Sequence, residues 1–173
     1  MDNNICITGL GIICSIGNDA ASVLDSLREG RPGIGSIKYL ETRHSHLPVG
    51  EVQLSDDQMK EMLGIESGEP MSRTSLMGAI AVRQALEQAG ITDISGKRVA
   101  LISGTTVGGM DLTEKYFERM KTDDSLLYLP QGNECGKSTL EIAEIAGLKD
   151  IETCTISTAC SSALNSIRSE ERR

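Results

Sequence analysis

The sequence predicts an α/β layered fold with a mostly parallel central sheet. Three runs, 5–10, 99–103 and 151–156, are apolar or β-branched enough to be buried strands. Stretches with helical spacing separate them, and helices between apolar strands build a sheet whose strands run parallel. The 18 glycines suit the many tight strand-to-helix junctions that such a fold needs.

Taken in order, 5–10 reads as a strand followed by a glycine turn, Gly9-Leu10-Gly11-Ile12-Ile13-Cys14-Ser15-Ile16-Gly17. Asn18 is placed to cap a helix over 19–29, with Asp19 near the positive end of its dipole and Gly30 at its stop. Ala20, Val23, Leu24 and Leu27 form its apolar face. Arg31-Pro32-Gly33 then breaks the chain. Residues 34–54 are mixed, although 49–54 alternates as an edge strand does. Ser55 with Gln58 forms a capping box for a short helix ending near Gly64, and 66–70 is a loop. The strongest helical pattern is 72–89, with Leu76, Ile80, Leu86 and Ala89 at helical spacing and Gly90 as its stop. Its many alanines imply close packing on both sides.

Residues 99–103 are apolar throughout, as in a strand covered on both faces. Gly104-Thr105-Thr106-Val107-Gly108-Gly109 follows, and Asp111 with Glu114 predicts a capped helix to about Lys121. Residues 126–131 read as loop or short strand, and 138–146 as a helix ending at Gly147. The third strand, 151–156, leads into a helix beginning near Cys160.

Composition narrows the function classes. A chain of 173 residues fits one domain or half of a larger one. With 24% charged and 39% apolar residues it is an ordinary globular sequence, and with 2% aromatics its core must be aliphatic. The net charge is −8, and the densest basic spots are only Lys97-Arg98 and Arg172-Arg173, so no stripe exists to meet nucleic-acid phosphates. Five cysteines, an odd number with no C-x-x-C pair, argue against a disulfide framework or a zinc site. Met1-Asp2-Asn3-Asn4 lacks the basic start of a signal peptide, and no run approaches the roughly 18 apolar residues of a membrane span. A reduced, cytoplasmic protein without a cofactor is expected.

Chemistry concentrates in Thr153-Cys154-Thr155-Ile156-Ser157-Thr158-Ala159-Cys160-Ser161-Ser162-Ala163-Leu164. A thiol at a helix start meets unpaired backbone N–H groups and the positive end of the helix dipole, which favour anionic sulfur. Cys160 is therefore a candidate nucleophile; the local pattern alone favours instead a small cysteine packed beneath a helix. Gly132-Asn133-Glu134-Cys135-Gly136-Lys137-Ser138 approaches a phosphate-binding loop, but the G-x-x-x-x-G-K-[ST] motif needs one residue more between its glycines. A plain helix start is the better reading there. The glycines of 104–109 lack dinucleotide-fingerprint order and suit close backbone approach. His44 and His46, the only histidines, lie in a polar loop.

Three of these segments together resemble the N-terminal half of a β-ketoacyl-acyl-carrier-protein synthase, of the thiolase-like αβαβα fold. Ile5-Cys6-Ile7-Thr8-Gly9-Leu10-Gly11 is similar to that family's opening strand and turn. Gly104-Thr105-Thr106-Val107-Gly108-Gly109 is similar to its glycine-rich segment after the next central strand. Ile156-Ser157-Thr158-Ala159-Cys160-Ser161-Ser162-Ala163 is similar to its nucleophile signature, the most specific of the three. The helical run Ile142-Ala143-Glu144-Ile145-Ala146-Gly147-Leu148 also sits where the family places a helix. The likeness covers about residues 3–167.

The resemblance implies that Cys160 takes an acyl group from acyl carrier protein or coenzyme A. A malonyl thioester then loses CO2, and its carbanion attacks the acyl-cysteine in fatty acid or polyketide-type synthesis. The family's two catalytic histidines and its second glycine-rich stretch belong to its C-terminal half, and His44 and His46 do not match them. Residues 1–173 are thus expected to be an N-terminal synthase domain truncated after the nucleophile helix. The family is usually dimeric through a strand that would follow Arg168-Ser169-Glu170-Glu171-Arg172-Arg173, which puts dimerisation of this fragment in doubt. Those closing charges also motivate an alternative, a non-catalytic truncated or scaffold-like homologue. A thiol-redox role for Cys154 and Cys160 ranks last, because their spacing has no redox logic.

Overall fold

The computed structural model describes residues 5–66, 68 and 70–171. Arg172 and Arg173 of the closing charge run, and Met1 to Asn4 at the start, lie outside the described residues, as do Ser67 and Glu69 of the expected 66–70 loop. The chain forms two compact units: Met1–Cys6 with Gly68–Ala79 and Asp93–Arg173, and Ile7–Ser67 with Ile80–Thr92.

In the unit built on 7–67 and 80–92, short local signals set the helices. Helix α1 is Ala20–Glu29, and its cap is Asp19 rather than Asn18: the Ser22 N–H donates to the Asp19 carboxylate at 2.7 Å, and the Ser22 hydroxyl accepts the Asp19 N–H. Asn18 stands one residue too early, and its N–H also goes to the Ser22 hydroxyl. Gly30 ends the helix in the left-handed region at φ 64°, as expected. On the expected apolar face only Val23 is buried among the large side chains; Leu24 and Leu27 are exposed. Helix α2, Asp56–Leu63, has the anticipated Ser55–Gln58 capping box with both reciprocal bonds and Gly64 at its end.

The hydrogen bonds from Ser22, first its backbone N–H and then its side chain, hold the Asp19 carboxyl below the usual carboxylate range. A lowered folded value means that the capping contribution is present above the unfolded carboxylate range and is lost as pH falls through the lowered folded value. Asp19→Ala is expected to cost about 1 kcal/mol at pH 7. The difference from the unsubstituted chain should shrink when urea midpoints are compared at about pH 3, below the unfolded carboxylate range. An equal gap at both pH values would contradict the charged cap.

Two expected strands change here. The edge strand over 49–54 reduces to β2, Val49–Gly50, paired antiparallel with β1, Ile34–Gly35. Glu51 leaves the ladder because its carboxylate gathers three successive backbone N–H groups, those of Lys38 at 2.8 Å, Tyr39 at 3.1 Å and Leu40 at 2.8 Å. The run 5–10 forms no strand. Instead Leu10 donates its N–H to Gln88 Oε1 at 2.6 Å, and Ile12 donates to Gln84 Oε1 at 3.0 Å. Both glutamines belong to helix α3, Arg73–Gln88, whose residues 80–88 lie in this unit. Its alanines serve the expected close approach on this side: a Cβ built on Gly11 would stand 2.6 Å from the Ala81 carbonyl carbon and closer still to its oxygen.

The unit built on 93–173 holds the parallel sheet. Strand β3, Ala100–Gly104, runs parallel to β4, Glu152–Ile156, with Ser103 opposite Thr155 and Gly104 opposite Ile156. Successive side chains of a strand point to opposite faces. Ser103 and Thr155 both bond the Thr139 hydroxyl, at 2.5 and 2.6 Å, so helix α5, Cys135–Ile145, covers their face. A Cβ on the next residue, Gly104, would meet Ala163 and Ser162, so helix α6, Ser162–Glu171, covers the other. The result is helix, sheet, helix. β3 is only partly buried, not sealed on both faces, because among the described residues its ladder has a single partner strand.

Helix α4, Met110–Met120, packs Leu112 with Leu126 and Leu129, flanked by Tyr116 and Met120. The stretch 126–131, expected as loop or short strand, falls in two 3-10 turns, Asp124–Leu126 and Leu129–Asn133. Asp111 does not cap α4, whose cap residue Gly109 carries no side-chain bond. Its Oδ2 accepts the N–H of Arg73 at 2.8 Å and so satisfies the first residue of α3. The described core is aliphatic, led by Met59, Leu76 and Leu129. No helix among the described residues is long and apolar enough to cross a membrane.

Candidate functional site

Strand β4 ends at Ile156, whose carbonyl still accepts the Thr105 N–H at 3.2 Å. Six residues later α6 begins. The β-branched Thr153, Thr155 and Ile156 favour the strand, and the small residues of 157–162 let the chain reverse sharply into the helix. Cys160 lies in that turn, two positions before Ser162, and not within the first helical turn. Its side chain is exposed, which removes the reading of a cysteine packed beneath a helix.

The residue before it is strained. Ala159 has φ 52°, in the left-handed region that costs a residue with a Cβ about 1–3 kcal/mol. Hydroxyl and amide groups lock this conformation. Ser162 Oγ donates to the Ala159 carbonyl at 2.8 Å and accepts the Thr158 N–H at 2.9 Å. Ser161 Oγ donates to the Thr158 carbonyl at 2.8 Å, and Asn165 Nδ2 donates to Thr158 Oγ1 at 2.9 Å. Ser162 and Asn165 escape a reading of the sequence for nucleophiles; their only trace there is the density of hydroxyl residues before a helix.

Gly104 makes this turn possible from the sheet side, since its missing Cβ leaves room for the first backbone groups of α6. The other glycines of 104–109 meet backbone too. Gly109 donates its N–H to the Gly132 carbonyl at 2.8 Å, and a Cβ on Gly108 would stand 3.1 Å from the Asn133 carbonyl oxygen. The phosphate-loop-like stretch 132–138 thus packs against 108–109 and opens α5 at Cys135. That is the helix start expected there, three residues earlier than Ser138.

The remaining candidates are placed as follows. His44 and His46 are exposed in the other unit, with ring centroids 6.1 Å apart. All five cysteines are free thiols. Cys154 is part of β4, and Cys135 Sγ lies 3.9 Å from Ser157 Oγ. Among the described residues no group of three or more His, Cys, Asp or Glu side chains is placed to hold a metal ion.

Residues 2–170 match the family described as "Beta-ketoacyl synthase, N-terminal domain". The chain is 29% identical over 180 residues to a nodulation protein E of Rhizobium meliloti (strain 1021), covering 98% of this chain and 42% of that protein. It is 27% identical over 176 residues to a 3-oxoacyl-acyl-carrier-protein synthase 2 of Synechocystis, covering 94% of this chain and 40% of that protein. Among solved structures, the ishigamide ketosynthase/chain length factor superposes with a TM-score of 0.68 at 27% identity, over 95% of this chain and 44% of that one. The chain therefore spans well under half the length of each of these proteins.

Proposed function

The chain belongs to the β-ketoacyl synthase family and has the thiolase-like fold of its ketosynthases, and from that premise we propose that Cys160 is its acyl-accepting nucleophile. The substrate is an acyl thioester carried by acyl carrier protein or coenzyme A. The Cys160 thiolate attacks the thioester carbonyl, and a tetrahedral oxyanion forms. Backbone N–H groups of the turn, including that of Cys160, hold the oxyanion. The bond from the carbonyl carbon to the carrier sulfur breaks, the carrier leaves as a thiolate that takes from solvent the proton Cys160 released, and the acyl group remains on Cys160 as a new thioester. The whole synthase then condenses that group with a malonyl thioester, which loses CO2 and lengthens the acyl chain by two carbons. Residues 1–173 supply the nucleophile-bearing part of this domain, and the histidines of the condensation step are not among the residues matched here.

The observation that carries this reading is the exposed thiol on a strained strand-to-helix turn inside a chain of this family. Strain at a turn that presents a reactive group is a feature of functional sites. Incubation with hexanoyl coenzyme A, then peptide mass mapping, tests it. The peptide containing Cys160 should gain one hexanoyl group, and Cys160→Ala should abolish the gain. Acylation spread evenly over Cys6, Cys14, Cys135, Cys154 and Cys160, or none at Cys160, would overturn the assignment.

A further inference from the structure

The side chain of Ser162 is bonded backwards, to the two residues immediately before Cys160. Its hydroxyl donates to the Ala159 carbonyl at 2.8 Å and accepts the Thr158 N–H at 2.9 Å, which uses both of its hydrogen-bonding directions. A serine serving only its helix would bond groups of that helix. Ser162 is 4% exposed, so water does not compete for these bonds as it does at the surface. Asn165, one turn further along α6, braces the same loop through Thr158 Oγ1 at 2.9 Å and Ser161 Oγ at 3.3 Å.

These bonds meet at the strained residue. Ala159 keeps φ 52° only while its surroundings over-determine it. Its carbonyl, held by Ser162, is one of the groups that rotate if φ relaxes, and Cys160 is the next residue along. We infer that Ser162 is the positioning residue of the nucleophile turn, holding Ala159 in the left-handed region so that the Cys160 thiol stays aimed outward, with Asn165 as a second brace. Ser162 touches no reacting atom. The inference rests on the reading of Cys160 as nucleophile and adds a residue to it.

The test compares the unsubstituted chain with Ser162→Ala, Ser162→Thr and Asn165→Ala. Two rates are read at Cys160: single-turnover acylation across a range of hexanoyl coenzyme A concentrations, and alkylation by iodoacetamide, each mapped by peptide mass. Loss of the clamp should lower the plateau acylation rate of Ser162→Ala roughly ten- to a hundredfold, as misplacement by an ångström does. The half-saturating concentration should stay unchanged, because the thioester is bound as before. Ser162→Thr, which keeps the hydroxyl, should recover most of the rate, and Asn165→Ala should lose severalfold. An unaltered plateau in Ser162→Ala, or a threonine variant as slow as the alanine one, overturns the inference. If Ser162→Ala does not fold, Asn165→Ala decides: a plateau equal to that of the unsubstituted chain overturns it. If the unsubstituted chain is never acylated at Cys160, the functional reading fails. The positioning role then stands or falls on alkylation, where Ser162→Ala must change the Cys160 rate relative to that of Cys6 in the same chain.

Discussion

Gly11→Ala is expected to destabilise the chain by about 3 kcal/mol or more, at the upper end of what overpacking costs. The reason is which atoms the new methyl would meet. It would stand 2.6 Å from the Ala81 carbonyl carbon and 3.0 Å from the Ala81 Cα, and nearer still to the carbonyl oxygen. All three are backbone atoms of α3, so no side chain can turn aside. Nor can the segment retreat cheaply, because Leu10 and Ile12 on either side donate their N–H groups to Gln88 and Gln84. Moving it away would strip two backbone donors of their partners, at about 1–3 kcal/mol for each one left unsatisfied. Gly35→Ala is the control, since a Cβ there meets nothing within 4 Å and its φ is not in the left-handed region. Urea unfolding followed by far-UV circular dichroism should show a clear fall in midpoint for Gly11→Ala and little change for Gly35→Ala. Equal midpoints for the two variants would refute the packing account.

That contact also shows where reading the sequence runs out. Helix α2 was legible in its start and close to its end, because its Ser55–Gln58 box and its Gly64 stop are interactions within one or two turns. α1 and α3 were legible for the same reason, to within a residue at each end. The run 5–10 has the residue types of a strand, but a strand also needs a partner, and pairing is decided by distant chain. Here the donors of the segment go to side chains more than seventy positions away. Asp111 is a comparable case. Its spacing to Glu114 suggests a local cap, yet its carboxylate reaches the Arg73 N–H, 38 positions away, and satisfies the start of a different helix. Glu51 looked like one residue of an alternating strand, but three backbone donors converge on it and end the strand. The turn that carries Cys160 stood out in the sequence through its resemblance to a nucleophile signature. What holds it did not, because the bonds of Ser162 and Asn165 brace a left-handed backbone at Ala159, a conformation that alanine does not announce.

Gly104→Ala should damage both stability and the proposed acylation, and the two losses share one cause. The added Cβ would stand 2.5 Å from the Ala163 nitrogen, 2.6 Å from the Ser162 carbonyl carbon and 2.7 Å from the Ala163 Cα. Ordinary contact between such atoms is about 3.5 Å, so the end of β3 and the start of α6 must separate by about 1 Å. The strand end has little freedom, because Gly104 lies opposite Ile156 in the ladder and the next residue, Thr105, donates to the Ile156 carbonyl at 3.2 Å. The start of α6 therefore gives way, and it carries Ser162 with it. Displacing Ser162 loosens its bonds to Ala159 and Thr158, so the strain at Ala159 is released and Cys160 loses its aim. A cost of about 3 kcal/mol is expected from the clash. Acylation at Cys160 by hexanoyl coenzyme A should fall by roughly a hundredfold, as for misplacement of a reacting group by about 1 Å. Gly136→Ala separates this from a general effect of replacing glycine. A Cβ there meets only Thr155 Oγ1, at 4.0 Å, and the position lies inside α5. Alanine should therefore stabilise that helix by about 0.5–1 kcal/mol and leave acylation intact. Were Gly104→Ala to lose stability yet acylate Cys160 at the rate of the unsubstituted chain, the close contact between β3 and α6 would be a matter of folding alone, and the turn would be held from the helix side without help from the sheet.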